Sequence, residues 1–219
     1  MEFQVLINTT CNLLVFVALL SLLLYFVSKS NRVVNFVTAE TAKGVGVILV
    51  IITLGIAIML ASSEAPVIAG AKVNVRDSIA VFAAIVGGPI AGVIVGLIGG
   101  LFRFSLGGWT ALPCSLATIL AGIIAAAIVR MTKFRPKNIN AKSLGGWIAL
   151  TVLWEIIHLQ ILIPLLGEKP YEAAFTLMAE TLLIPMVAIN ALGIGLLLFL
   201  VRKVIIRRQT KRRSMDTTS

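Results

Sequence analysis

The chain has 219 residues, 59% of them hydrophobic and 13% charged, with a mean hydropathy of +1.05. Those values exclude a soluble globular domain and predict an integral membrane protein. The net charge of +10, from 19 Lys and Arg against 9 Asp and Glu, is what cytoplasmic membrane loops accumulate. No interleaving of aromatic and basic residues points to nucleic acid.

The opening residues MEFQVLINTT lack a basic n-region, so no signal peptide is expected. A first span is predicted at 13–27, with apolar flanks, and a polar stretch at 28–43 follows. The second span is 44–61, and a polar connection with two turn signals, SSEAPVIAGAKVNVRD, comes after it. Then comes the stretch 75–118, apolar but carrying Arg76 and Arg103. Further spans are predicted at 110–131, 144–166 and 173–201. The loop RMTKFRPKNINAK separates the first two of these, and GEKPYE, with its proline turn, the last two. Residues 1–205 read as one membrane domain and 206–219 as a basic cytoplasmic tail or linker. Cys11 and Cys114 both lie in apolar surroundings and read as separate small hydrophobes, too few for a metal cluster.

The connections 28–43, 130–142 and 202–213 hold 15 of the 19 Lys and Arg, so they are assigned to the cytoplasm. The N-terminus is then outside and the C-terminus inside. Parity requires 77–104 to start and finish on the outer side. One helix of that length measures about 42 Å, too short for two full spans. The Gly-Gly-Pro step ending at Pro89 supplies a bend, so a hairpin of two short helices is predicted. The expected fold is all-α: a polytopic membrane protein with five long transmembrane helices plus this hairpin.

The stretch 75–118 holds eight glycines, with Gly88, Gly92, Gly96 and Gly100 spaced by four. Four residues is about one turn, so these glycines share a face and allow close helix packing. The hairpin brings Arg76 and Arg103 to its outer mouth, beside Cys114, Ser115 and Thr118. Two neighbouring guanidiniums suit a carboxylate, and hydroxyls and a thiol orient a second polar group. Gly107 and Gly108 turn the chain there and bare backbone N–H groups. The plain alternative has Asp77 neutralising Arg76 while Arg103 snorkels to the headgroups.

Glu155 and His158, three apart, share a helix face, and Glu180 lies in the last span. They read as interhelical glue, or else as proton carriers; they are too sparse for a metal site. Pro185 is expected to kink the last span, with Asn190 satisfying a freed carbonyl. Neither a catalytic residue nor a cofactor is predicted.

The string GGPIAGVIVGLIGGLFRFSLGGWTALPC resembles the five-transmembrane sensor domain of LytS-type histidine kinases, which also occurs on diguanylate cyclases. WEIIHL and LIPMVAINALGIGLLLFL are similar to that family's Glu/His helix and final helix. In its pyruvate-sensing branch the site is two arginines, a cysteine and a serine. The resemblance assigns those roles to Arg76, Arg103 and Cys114; the serine position is Ala117 here, which Ser115 or Thr118 replaces. It implies a signal-input domain in the cell membrane that binds a small, pyruvate-like anionic metabolite. The expected partners are the lipid bilayer and a second copy of the chain. A response regulator would be reached only through a kinase part, and this chain carries neither a phosphoacceptor histidine nor a cyclase motif. The GPxAGxxxG hairpin is also similar to the vitamin-binding subunits of energy-coupling-factor transporters. A transporter or its substrate-capture subunit, with Glu155, His158 and Glu180 coupling protons, is therefore the competing reading.

Overall fold

The computed structural model describes residues 45–65, 67–68 and 70–216. The first predicted span and Cys11 lie outside them. Helix α1 is Val45–Ser63. A two-stranded antiparallel hairpin follows, β1 (Val67–Ile68) and β2 (Ala71–Lys72), with Val67 opposite Lys72. It turns at Gly70, whose φ of +80° lies in the left-handed region. This hairpin occupies the expected polar connection and is a small β addition to the all-α prediction.

The predicted helical hairpin is present. Helix α2 is Arg76–Gly87 and α3 is Pro89–Ser105, broken at Gly88 with φ +86°. Pro89 begins α3 where its missing N–H has no partner to lose. A side chain at Gly87 would collide with Val50 of α1. Val50 lies about 20 Å along α1 from Ser63 at 1.5 Å per residue, so the bend dips deep into the bundle.

Helix α4 is Ala111–Thr132, and α5 begins at Ala141 under an Asn140–Ser143 capping box. It runs to Leu166 through a π turn at His158–Leu162. Helix α6 starts as Tyr171–Leu177, passes a second π turn at Met178–Leu182, and continues as Leu183–Asp216. Each π turn stands just ahead of a proline, Pro164 or Pro185. A proline lacks the N–H and crowds the carbonyl four residues back; widening the preceding turn relieves both.

Helices α1, α4, α5 and α6 are long and apolar enough to cross a membrane. The protein is an all-α, multi-pass membrane protein of the plasma membrane apart from the small hairpin. At its centre every residue of α2 is buried, packed by α1, α3, α4 and α6. That covering is what permits a broken helix pair at membrane depth. Glycines make the fit. A side chain at Gly92 would overlap Ala84 of α2, one at Gly100 would meet Ile119 and the Ser115 carbonyl, and one at Gly122 would strike the Gly92 carbonyl. Of the stripe, Gly96 and Gly100 face α4 across the α3–α4 seam, Gly92 lets α2 approach, and Gly88 forms the bend itself.

Candidate functional site: a buried polar cluster at the mouth of the hairpin

Arg76 opens α2. The Oδ1 of Asn74 accepts its backbone N–H at 3.0 Å and sets the turn. The Arg76 side chain is 0% exposed, and none of its three guanidinium nitrogens has a hydrogen-bond partner. A buried charge normally carries a full set of partners, because leaving one bare costs several kcal/mol.

Arg103 lies in the last turn of α3 and is also buried, so it does not snorkel to the headgroups. One terminal nitrogen donates to the Gly107 carbonyl at 2.7 Å and the other to Thr110 Oγ1 at 2.9 Å; Nε is unpartnered. Gly107 and Gly108 take φ values of +66° and +92°, which glycine adopts freely. This turn serves Arg103 with a carbonyl, and the Gly107 N–H is taken by the Phe104 carbonyl at 3.1 Å. Both guanidiniums act electrostatically on each other and on Cys114. Lys72 on β2 feels both as well: burial first, then the positive fields of Arg103 and Arg76, hold its ammonium below the usual lysine range. The two arginines therefore share one end of the bundle, as the hairpin predicts.

Asp77 is committed elsewhere than to Arg76. Thr118 Oγ1 donates to its Oδ1 at 2.7 Å, Trp154 Nε1 donates to Oδ2 at 3.2 Å, and His158 Nδ1 lies 3.3 Å from Oδ2. Glu155 is fully buried; Oε2 is 3.5 Å from the same imidazole nitrogen, and neither oxygen has a well-formed hydrogen bond. The other nitrogen, Nε2, lies 3.4 Å from Cys114 Sγ. The Glu155–His158 pairing agrees with the three-residue spacing. Asp77, Trp154 and the thiol join from distant segments, and nothing in the sequence signals it. Potential ligand atoms of Asp77, Glu155 and His158 lie within 4.8 Å of one another, close enough to share a cation. An imidazole between two carboxylates meets the same need when it carries a proton.

The remaining expected residues divide. Thr118 belongs to the cluster through Asp77. Ser115 is buried and turns its hydroxyl onto the Ala111 carbonyl at 2.6 Å, a local bond within α4. Glu180 is exposed on the second π turn and lines a surface groove with Glu172 and Thr176, so it does not join Glu155 and His158. Asn190 does not mend a carbonyl freed by Pro185. Its Nδ2 donates to the carbonyls of Met186 and Asn74, both at 3.1 Å, and its Oδ1 accepts from Ser78 Oγ at 2.7 Å. The last helix is thereby tied to the turn that carries Arg76. Trp109 covers the mouth: its ring packs against Gly70 and Gly167, Lys169 Nζ sits 4.7 Å from the ring centre, and its carbonyl accepts from Glu168 N at 3.2 Å.

A family model described as the 5TMR of 5TMR-LYT matches residues 30–204. The chain is 35% identical over 125 residues to the sensor histidine kinase BtsS of Escherichia coli, covering 56% of this chain and 21% of that one. It is similar to the sensor protein LytS of Bacillus subtilis, 35% identical over 133 residues, and to that of Bacillus anthracis, 31% over 133, covering 61% of this chain and 21% of each relative. The chain thus spans about a fifth of the length of the curated relatives it matches. No solved structure matches it. With a family match across most of its length and relatives that are sensor kinases, this chain belongs to the 5TMR-LYT family of membrane sensor domains.

Proposed function

We propose that the chain is a signal-input domain that binds a small carboxylate at the outer face, between Arg76 and Arg103, and passes the event to the cytoplasm through α6. The observation that carries this reading is the Arg76 guanidinium, fully buried with three bare nitrogens. Arg presents a planar fork matched to a carboxylate, and Arg103 has Nε free beside it. The charges fit a monoanion. Two guanidiniums oppose Asp77 and one bound carboxylate, so with the unpartnered Glu155 carboxyl protonated and His158 neutral the cluster carries no net charge. Trp109 and the β hairpin shield the ligand from water, which strengthens each charged contact.

Transmission follows from the Asn190 tie. A ligand shifts an equilibrium only through different affinities for two states. Seating a carboxylate on Arg76 favours one position of the Asn74–Arg76 turn, and Asn190 on α6 holds the carbonyl of that turn. In this reading α6 continues toward a kinase output, as the name of the Escherichia coli relative suggests, which would act on a response regulator, and two copies pair in the membrane. A proton-coupled transporter is less well supported, because Glu180 stands apart from the buried Glu155 and His158.

Thermal unfolding of the purified protein in detergent, with and without pyruvate, lactate or acetate, tests the site. The wild type is expected to be stabilised by at least one of these acids, and Arg76→Ala and Arg103→Ala to lose that shift. A shift of equal size in both variants refutes the assignment.

A further inference from the structure

The cluster contains a constellation that carboxylate binding alone does not use. Cys114 Sγ lies 3.4 Å from His158 Nε2, and His158 Nδ1 lies 3.3 Å from Asp77 Oδ2. The three residues come from α4, α5 and α2. Asp77 is itself fixed by Thr118 and Trp154. A thiol, an imidazole in reach of it and a carboxylate orienting that imidazole form the arrangement of an activated nucleophile. A cysteine used for packing needs no imidazole partner. Independently, the unpartnered Arg76 guanidinium provides a carboxylate seat in the electrostatic field of this thiol.

We infer that Cys114 adds reversibly to the keto carbon of a 2-oxo acid whose carboxylate is held by the two arginines. This rests on the carboxylate site proposed above and adds the bond that a 2-oxo acid forms there. A 2-oxo acid bonds its electrophilic carbon directly to the carboxylate carbon, so seat and nucleophile address neighbouring atoms, which suits so compact a cluster. The thiol proton passes to His158 Nε2. The sulfur then forms a bond to the keto carbon while the carbonyl π pair moves onto oxygen. Nε2 returns the proton to that oxygen, giving a neutral hemithioketal. Nothing is oxidised or reduced and no group leaves, so the reverse steps release the ligand unchanged. Asp77 holds the ring in place throughout. A 2-hydroxy acid of the same size takes the same seat but has no carbon to attack, so the bond separates the two ligands.

The test uses the purified protein with pyruvate carrying carbon-13 at its keto carbon, read by NMR, together with lactate and pyruvate affinities. The bound carbon is expected to resonate as a tetrahedral centre, and pyruvate to bind about tenfold or more tighter than lactate. Cys114→Ser, nearly isosteric, is expected to bring the two affinities together and remove the tetrahedral signal; its retained response to lactate shows that it folds. His158→Gln is expected to act in the same direction. A bound keto carbon that stays trigonal in the wild type, with lactate and pyruvate both stabilising it, overturns the addition and leaves the carboxylate site standing. If no acid stabilises the wild type, both fall together.

Discussion

At Asn190 a single amide closes three buried hydrogen bonds, to Ser78, Asn74 and Met186. Asn190→Ala leaves the Asn74 carbonyl short of a partner, while the Ser78 hydroxyl keeps its bond to the backbone carbonyl of residue 190. Such groups cost about 1–3 kcal/mol when unpaired, and side-chain bonds within membrane proteins average somewhat less. The variant is therefore expected to lose about 1–3 kcal/mol of stability, seen as a lower unfolding temperature in detergent. It is expected to keep its carboxylate-dependent shift, because the amide touches neither guanidinium. Loss of that shift would place Asn190 in the binding seat instead. Asn190 also marks a boundary of legibility. Read along the chain, it serves its own proline-bearing helix; in the fold it reaches partners 112 and 116 positions away. Asp77 and Trp154 escaped in the same manner. Each looks like an ordinary neighbour of a more conspicuous residue, and only tertiary contact brings them to His158. Arg76 and Arg103 stood out because a charge within an apolar run has few bland uses, whereas the Cys114 thiol alone reads as a small hydrophobe and was drawn in by its place beside them.

The α2–α3 hairpin was readable at the scale of elements, because a helix-breaking Gly-Gly-Pro step and the parity of basic loops both demand a return. The two π turns were not. A proline announces a disturbed helix, but the way the turn widens depends on what packs beside it. The glycines on the seam differ from those in the loop, and that difference is measurable. A Cβ at Gly122 meets the backbone carbonyl of Gly92, which has no flexible end to move aside. Gly122→Ala is thus expected to cost about 1–3 kcal/mol, as overpacking does. At Gly107 nothing lies within 4 Å, and only the left-handed φ resists a side chain. Gly107→Ala is expected to cost about 1–2 kcal/mol, with a smaller fall in unfolding temperature than Gly122→Ala. The reverse order would mean that the seam is looser than its contacts imply.

For the molecule as a whole, the end bearing the β hairpin, Trp109 and both arginines lies opposite the basic α4–α5 connection. Charge asymmetry assigns the first to the outside and the second to the cytoplasm. A membrane-impermeant maleimide applied to intact cells is expected to label Ser105→Cys and to spare Lys142→Cys, in a background lacking the native cysteines. The opposite pattern would invert the orientation and place the binding seat inside the cell. The burial of α2 on every side also bears on how the chain is made. A segment that presents no surface to lipid gains nothing by entering the bilayer alone, whereas α4, α5 and α6 can each insert as they emerge from the ribosome. On that argument α2 is expected to settle last, into a socket completed by helices synthesised after it, so that the proposed binding seat forms only once those helices are in place.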